Sequence, residues 1–191
     1  MDSEYFCKTM AIILDGSIAA ASIRTEIAEA VKSSVAKGNR PPGLVAILVG
    51  EDGASQTYVG AKKTACDEVG FAGDVRRFAA DITEAELMAE IEKINVDETI
   101  DGLIVQLPLP KHISEEKVTQ AILPGKDVDG FHDINMGKLA KGDETGVKPA
   151  TPYGITLLMK HYGIDASGKH VVVVGRSNIV GRPMSMLLSA A

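Results

Sequence analysis

The chain alternates short apolar runs with longer stretches in which apolar and charged residues recur at a helical period. The first apolar run, Gly43-Leu44-Val45-Ala46-Ile47-Leu48-Val49, lies between Pro41-Pro42 and Gly50, and a second runs from Asp101 to Gln106. Runs this short, bounded by turn residues, read as strands buried on both faces. A more polar strand is predicted over residues 74–78. Residues 18–37 place Ala, Ile and Val among charges at helical spacing, opened by Asp15-Gly16-Ser17 and closed by Gly38-Asn39. A second helix is predicted to start at Ser55 as its cap and to stop at Gly70. A third opens with Thr83-Glu84-Ala85-Glu86, a capping-box pattern, and runs to about residue 95. Strand, helix, strand, helix, strand at these spacings predicts an α/β fold, a three-layer parallel-sheet domain with right-handed crossovers.

Shorter helices are predicted over residues 114–122 and 134–140. The polar run Lys141-Gly142-Asp143-Glu144-Thr145-Gly146 marks a change of organisation. It divides a first domain, residues 1–147, from a second, residues 148–191. Thr151-Pro152 then starts a helix to about residue 162, with proline at its first position. The β-branched run His170-Val171-Val172-Val173-Val174 leads into Gly175 and a further apolar helix, the opening of a Rossmann-type nucleotide-binding unit.

Composition narrows the classes. Of 191 residues, 45% are hydrophobic and 24% charged, which suits a globular chain rather than a disordered one. The net charge of −6 argues against a nucleic-acid or anionic-membrane surface, because such partners require a basic patch. No run approaches the ~20 apolar residues of a membrane span. The first ten residues contain Asp2 and Glu4 and resemble neither a signal peptide nor a transit peptide. Cys7 and Cys66 form no disulfide framework or metal-ligand spacing, Cys66 reads as a small core residue, and both suit a reducing cytosol.

The candidate chemistry gathers at strand ends. Tyr58 and Lys62, spaced i, i+4, share one helix face just after the carboxyl end of a strand, the edge where ligands bind in open parallel sheets. A plain solvated face, with the lysine stem lying along the ring, is the bland reading of that pair. Gln106 is the first polar residue at the end of its strand, and Pro108 and Pro110 stop the ladder beyond it. Pro124-Gly125-Lys126-Asp127-Val128-Asp129-Gly130-Phe131 is a turn-rich loop with two carboxylates. It is not a calcium loop, since Phe131 stands where an oxygen ligand is needed and no bidentate Glu follows. Asp127 is expected to close a turn through its own backbone. The four histidines, His112, His132, His161 and His170, have no ligand spacing and receive no role. In Gly175-Arg176-Ser177-Asn178-Ile179-Val180-Gly181, Ser177 replaces the second glycine of a Rossmann fingerprint and Gly181 comes one residue late. Arg176 either pairs with a nucleotide 2′-phosphate through its planar fork, favouring NADP over NAD, or is a solvated surface residue.

Four separated segments now stand together: Tyr58-Val59-Gly60-Ala61-Lys62, Val105-Gln106-Leu107-Pro108-Leu109-Pro110, Lys126-Asp127-Val128-Asp129-Gly130-Phe131 and Gly175-Arg176-Ser177-Asn178-Ile179-Val180-Gly181-Arg182-Pro183-Met184. In this order they closely resemble the bifunctional methylenetetrahydrofolate dehydrogenase/cyclohydrolase family, over nearly the whole chain. The resemblance implies an NADP-dependent enzyme that oxidises 5,10-methylenetetrahydrofolate to the methenyl cation and hydrolyses that to 10-formyltetrahydrofolate. It implies Lys62 as the essential proton-transfer residue, Gln106 as the group that orients it, and Tyr58 stacked on the aminobenzoyl ring. Asp129 would take the pterin edge through two parallel hydrogen bonds. Val59, Gly60, Ala61, Val105 and Leu107 complete the folate-binding segments, and Gly175, Arg176 and Ser177 the cofactor turn. No metal is implied, and a homodimer is.

A free lysine ionises near ~10.4, so a Lys62 working near neutrality needs a depression of ~2.5–3 units, to which the cationic substrate contributes. Ala150 stands where the family commonly has Cys, so no thiol chemistry is carried over. Lys63 either serves the glutamate tail of the folate or has no role. With 191 residues, 16 follow Gly175, fewer than a complete nucleotide domain needs, and the family's glycine- and proline-rich folate loop is missing. The chain is therefore expected to be an incomplete version of a longer family member, and a non-catalytic folate-binding fragment is the alternative. An amino-acid or shikimate-type dehydrogenase is disfavoured by Gln106-Leu107-Pro108-Leu109-Pro110.

Overall fold

The computed structural model describes residues 11–190; Cys7 and the rest of the first ten residues lie outside the described residues. Three strands, β1 (Gly43–Val49), β2 (Ala72–Phe78) and β3 (Gly102–Val105), form one parallel sheet in the order β2-β1-β3. Ile47 of β1 lies opposite Arg76 on one side and Val105 on the other. The central strand is apolar throughout because both its faces are covered. Val45, Ile47 and Val49 face one core, shared with Leu87, Ile91 and Ile94 of α3 (Glu84–Val96) and with Val118 of α4 (Glu115–Ala121). Ala46 and Leu48 point the other way, onto Val59 of α2 (Gly53–Val69), with Ile104 and Val128 beside them. The period of two thus divides one strand between two cores and gives the three expected layers.

Local signals set the helix ends. The carboxylate of Asp15 accepts the Ser17 N–H at 2.8 Å and caps α1 (Gly16–Ala36). Thr83 and Glu86 form a reciprocal capping box at the start of α3. Gly70 adopts φ 80° and ends α2 in the left-handed conformation that glycine tolerates best. The start of α2 differs from expectation. Asp52 is the cap, accepting the Ser55 N–H at 2.8 Å, and Ser55 is a buried first-turn residue. Gly53 and Ala54 fit a helical turn, so the helix reaches back to the first side chain able to accept its orphan N–H groups.

After β3 the chain returns along the sheet. Leu103 donates its N–H to the Lys126 carbonyl at 2.7 Å and pairs in parallel with Asp127. Lys126 is itself held by the Ile94 and Asp97 carbonyls, each 2.7 Å from its Nζ. Residues 126–128 therefore lie beside β3 as a short further rung. Then follow α5 (Asp133–Ala140), α6 (Ala150–His161) and α7 (Gly181–Ser189). α6 begins at Ala150, directly after Pro149, so Pro152 falls at its third position rather than its first, still within the opening turn whose N–H groups have no helical partner. The Tyr162 hydroxyl accepts the Asp15 N–H at 2.9 Å, joining the end of α6 to the start of α1.

One predicted strand is not formed. Residues 170–174 pair with no other strand among the described residues, and Val172 and Val174 are 71% and 98% exposed. A β-branched run becomes a strand only when a neighbour supplies the opposite row of N–H and C=O groups.

Gly43 and Gly154 separate close packing from propensity. A Cβ on Gly43 would lie 2.2 Å from the Thr99 carbonyl oxygen, whereas one on Gly154, inside α6, meets nothing within 4 Å. In urea denaturation Gly43→Ala is expected to lose about 1–3 kcal/mol, and Gly154→Ala to gain about 0.5–1 kcal/mol.

Candidate functional site

Parallel pairing sends the carboxyl ends of β1, β3 and the 126–128 rung to one edge of the sheet. α2 begins just past the end of β1 and presents Tyr58 and Lys62 there. Gln106 immediately follows β3, and Asp129 immediately follows the rung. Four residues from three distant segments thus reach one edge because their strands run the same way.

The contacts are specific. Lys62 Nζ donates to Gln106 Oε1 at 3.3 Å, and Gln106 Nε2 donates to the Leu107 carbonyl at 2.7 Å. The second bond fixes the amide's orientation and leaves its oxygen for the amine. Lys62 and Gln106 are both half-buried, and the peptide after Leu107 is cis. Tyr58 is 65% exposed, with its ring available to a flat partner. Gly60 and Ala61 are also exposed. Val59 and Val105 are not: their side chains are 0% and 3% exposed and belong to the two opposite cores, so only their backbones border the site. Leu107 is half-buried and packs on the α3 side of the sheet.

Asp129 is half-buried, and no hydrogen bond reaches its carboxylate among the described residues. Burial pushes its pKa above the usual carboxylate value; the Lys62 ammonium opposes that rise and the Asp127 carboxylate adds to it. The cluster therefore contains an amine held by a neutral amide, close enough to a desolvated carboxylate to favour its charged form.

Asp127 does far more than close its own turn. At 2% exposure it accepts the N–H groups of Gly130, Phe131 and His132 and the side-chain amide of Asn135. His132, given no role from sequence, caps α5 by accepting the Ile134 N–H on Nδ1 at 3.0 Å. Its place one residue before a helix was the available signal. Lys63 is engaged by Asp67 one turn on.

The glycine turn of residues 175–181 leads into α7. Ser177 Oγ accepts the N–H groups of Val180 and Gly181 at 3.2 and 3.3 Å, so the residue in place of the second glycine caps the turn. A Cβ on Gly181 would fall 2.4 Å from the Gly175 carbonyl oxygen, which accounts for the late glycine. Gly175 itself has φ 138°, and Arg176 is exposed with no ion pair among the described residues.

A parallel α/β layer with an amine, an amide and a carboxylate at its carboxyl edge, followed by a glycine turn and helix, makes this an α/β protein with a polar cluster at the edge where ligands bind in open parallel sheets. The chain belongs to the tetrahydrofolate dehydrogenase/cyclohydrolase family: residues 14–129 match its catalytic domain and residues 149–191 its NAD(P)-binding domain. It is 52% identical over 176 residues to the bifunctional protein FolD of Porphyromonas gingivalis, covering 92% of this chain and 59% of that protein. It is 50% identical over 179 residues to that of Aquifex aeolicus, covering 94% and 62%. The chain thus spans about three fifths of the length of these curated relatives. Among solved structures, the bifunctional FolD methylenetetrahydrofolate dehydrogenase/cyclohydrolase of Campylobacter jejuni superposes with a TM-score of 0.91 at 45% identity, covering 94% of this chain and 63% of that one. The Trypanosoma brucei enzyme, complexed with NADP cofactor and inhibitor, gives 0.90 at 34%, covering 94% and 61%.

The raised pKa of Asp129 gives a signed pH dependence. The folded state holds this proton to higher pH than the unfolded chain, so Asp129 subtracts stability as pH rises from the ordinary carboxylate value through its own raised one. Asp129→Asn is expected to remove that loss. In urea titrations across the acid-to-neutral range, the variant's stability relative to the parent should increase with pH and then level off.

Proposed function

We propose that this chain carries the folate site of an NADP-dependent methylenetetrahydrofolate dehydrogenase and methenyltetrahydrofolate cyclohydrolase. The observation that carries the reading is the bond from Lys62 Nζ to Gln106 Oε1, with the Asp129 carboxylate within electrostatic reach of the same amine. The activities for which the relatives are named support it, as does the NADP held by the Trypanosoma brucei structure.

In the proposed reaction, 5,10-methylenetetrahydrofolate loses hydride from its bridging carbon and becomes the methenyl cation. Water then adds to that carbon, and one carbon–nitrogen bond opens to give 10-formyltetrahydrofolate with release of a proton. Lys62 moves protons during the hydrolytic step. Gln106 aims the Lys62 amine without adding a negative charge that would hold its proton on. Tyr58 offers a flat, exposed face to the aminobenzoyl ring. Asp129 receives the pterin's 2-amino and ring N–H groups, and two charge-assisted hydrogen bonds there offset its desolvation.

Gly175, Arg176 and Ser177 fit a phosphorylated dinucleotide: the turn is tight, its backbone approaches closely at Gly181, and Arg176 is exposed with no ion pair among the described residues. NADP, when bound, supplies the hydride acceptor, and Arg176 would meet its 2′-phosphate. The proposed setting is the reducing cytosol, in keeping with the buried thiol of Cys66, and no helix of the described residues is long and apolar enough to cross a membrane. The proposed assembly is a homodimer, for which exposed apolar residues such as Val172 and Val174 offer surface.

Lys62→Met tests the assignment. It is expected to abolish hydrolysis of methenyltetrahydrofolate, followed by loss of the methenyl chromophore, while folate affinity stays within about tenfold, or ~1.4 kcal/mol. Retained hydrolysis would remove Lys62 from its role.

A further inference from the structure

The backbone around Asp129 is tied on both sides, while its carboxylate accepts no hydrogen bond among the described residues. Its carbonyl accepts the Ala150 N–H at 3.3 Å, at the first residue of α6. Gly130, next in the chain, has φ 71°, and a Cβ there would lie 2.7 Å from both the Lys148 carbonyl carbon and the Pro149 nitrogen. Val128, on the other side, packs in the α2-side core. The turn that carries Asp129 is therefore pinned, while the side chain keeps all its acceptor positions open.

The pin converges on Asp127. Its Oδ1 accepts Gly130 N–H at 3.0 Å and Phe131 N–H at 3.2 Å; its Oδ2 accepts His132 N–H at 2.8 Å and Asn135 Nδ2 at 2.9 Å. Asn135, itself 2% exposed, also donates to the Pro124 carbonyl at 2.9 Å and accepts the Val147 N–H at 3.2 Å. One buried carboxylate thus ties three consecutive backbone amides after Asp129 to Asn135 of α5, and Asn135 ties α5 to the Val147 backbone ahead of α6. Asp127 is in β-bridge register with Leu103, which sets the height of the whole turn against β3. A charge buried to this degree is tolerable only because its lone pairs are filled. Those donors are also the backbone that aims Asp129.

We propose that Asp127, with Asn135 behind it, is a positioning residue for pterin recognition: it fixes the direction of the Asp129 carboxylate without touching the ligand. This rests on the reading of Asp129 as the pterin-binding group. Asp127→Asn keeps an acceptor for Gly130 and Phe131 but turns an NH2 group toward the His132 N–H and the Asn135 amide. One donor group then faces two others, and the turn must shift.

The test is a double-mutant cycle read by tetrahydrofolate titration on the parent, Asp127→Asn, Asp129→Ala and the double variant, with NADP affinity as the control. Asp127→Asn is expected to weaken tetrahydrofolate about tenfold and to raise KM for methylenetetrahydrofolate by the same factor, with kcat within about threefold. In the Asp129→Ala background the same change should add nothing, and NADP affinity should not move. Additive losses, or no loss from Asp127→Asn, overturn the proposal. An Asp129→Ala variant that binds tetrahydrofolate normally overturns the pterin role of Asp129 and this inference with it. Should Asp127→Asn fail to fold, Asn135→Ala is read in the same cycle, with about a threefold loss expected on the parent and none on Asp129→Ala.

Discussion

Parallel strand pairing is the constraint on which everything else in this molecule depends. A strand that pairs in parallel cannot be reached by a tight turn; the chain must climb over the sheet and start again from the same end. Each crossover here is a helix, and each return brings another carboxyl terminus to the same edge. β1, β3 and the rung at residues 126–128 therefore deliver α2, Gln106 and Asp129 to one place, although those groups are far apart in sequence. The chemistry of the edge is a by-product of strand direction, and the cores on either face keep that direction fixed.

Much of this was legible in the residues. The β1 run, closed by prolines and a glycine, matches the observed Gly43–Val49 strand residue for residue, and Thr83 to Glu86 announced its capping box. These signals are local, and local geometry satisfies them. What stayed hidden depends on distant partners. Asp127 looked like a turn residue because its own backbone is nearby. Its engagement by Asn135, and Asn135's by Val147, appear only once α5 has folded back on the loop. Val59 and Val105 sit inside segments that resemble a binding motif, yet alternation along a strand and around a helix sends their side chains into the core. A motif marks a stretch of chain; the period of the element decides which of its side chains face outward.

The residues 170–174 teach the complementary lesson. Four consecutive valines have the strongest intrinsic preference for an extended ladder, and here they form none. Propensity selects among conformations that already have partners, and a strand's partner is another strand. The helix after it needs no such neighbour. Ser177 satisfies N–H groups at the start of α7, the Gly175–Gly181 approach closes the turn, and α7 buries Pro183 and Met184 as it packs against α5 and α6.

The bond between Tyr162 and Asp15 joins residues 147 positions apart and is made at the outer surface of two helix ends. A contact of such long sequence separation closes nearly the whole described chain into a ring, and the entropy of that closure must be met after the shorter loops have formed. The clasp is polar and exposed, so water can replace both of its hydrogen bonds when the two helix ends part. Amide exchange at the start of α1 should consequently report on the docking of α6 rather than on the sheet.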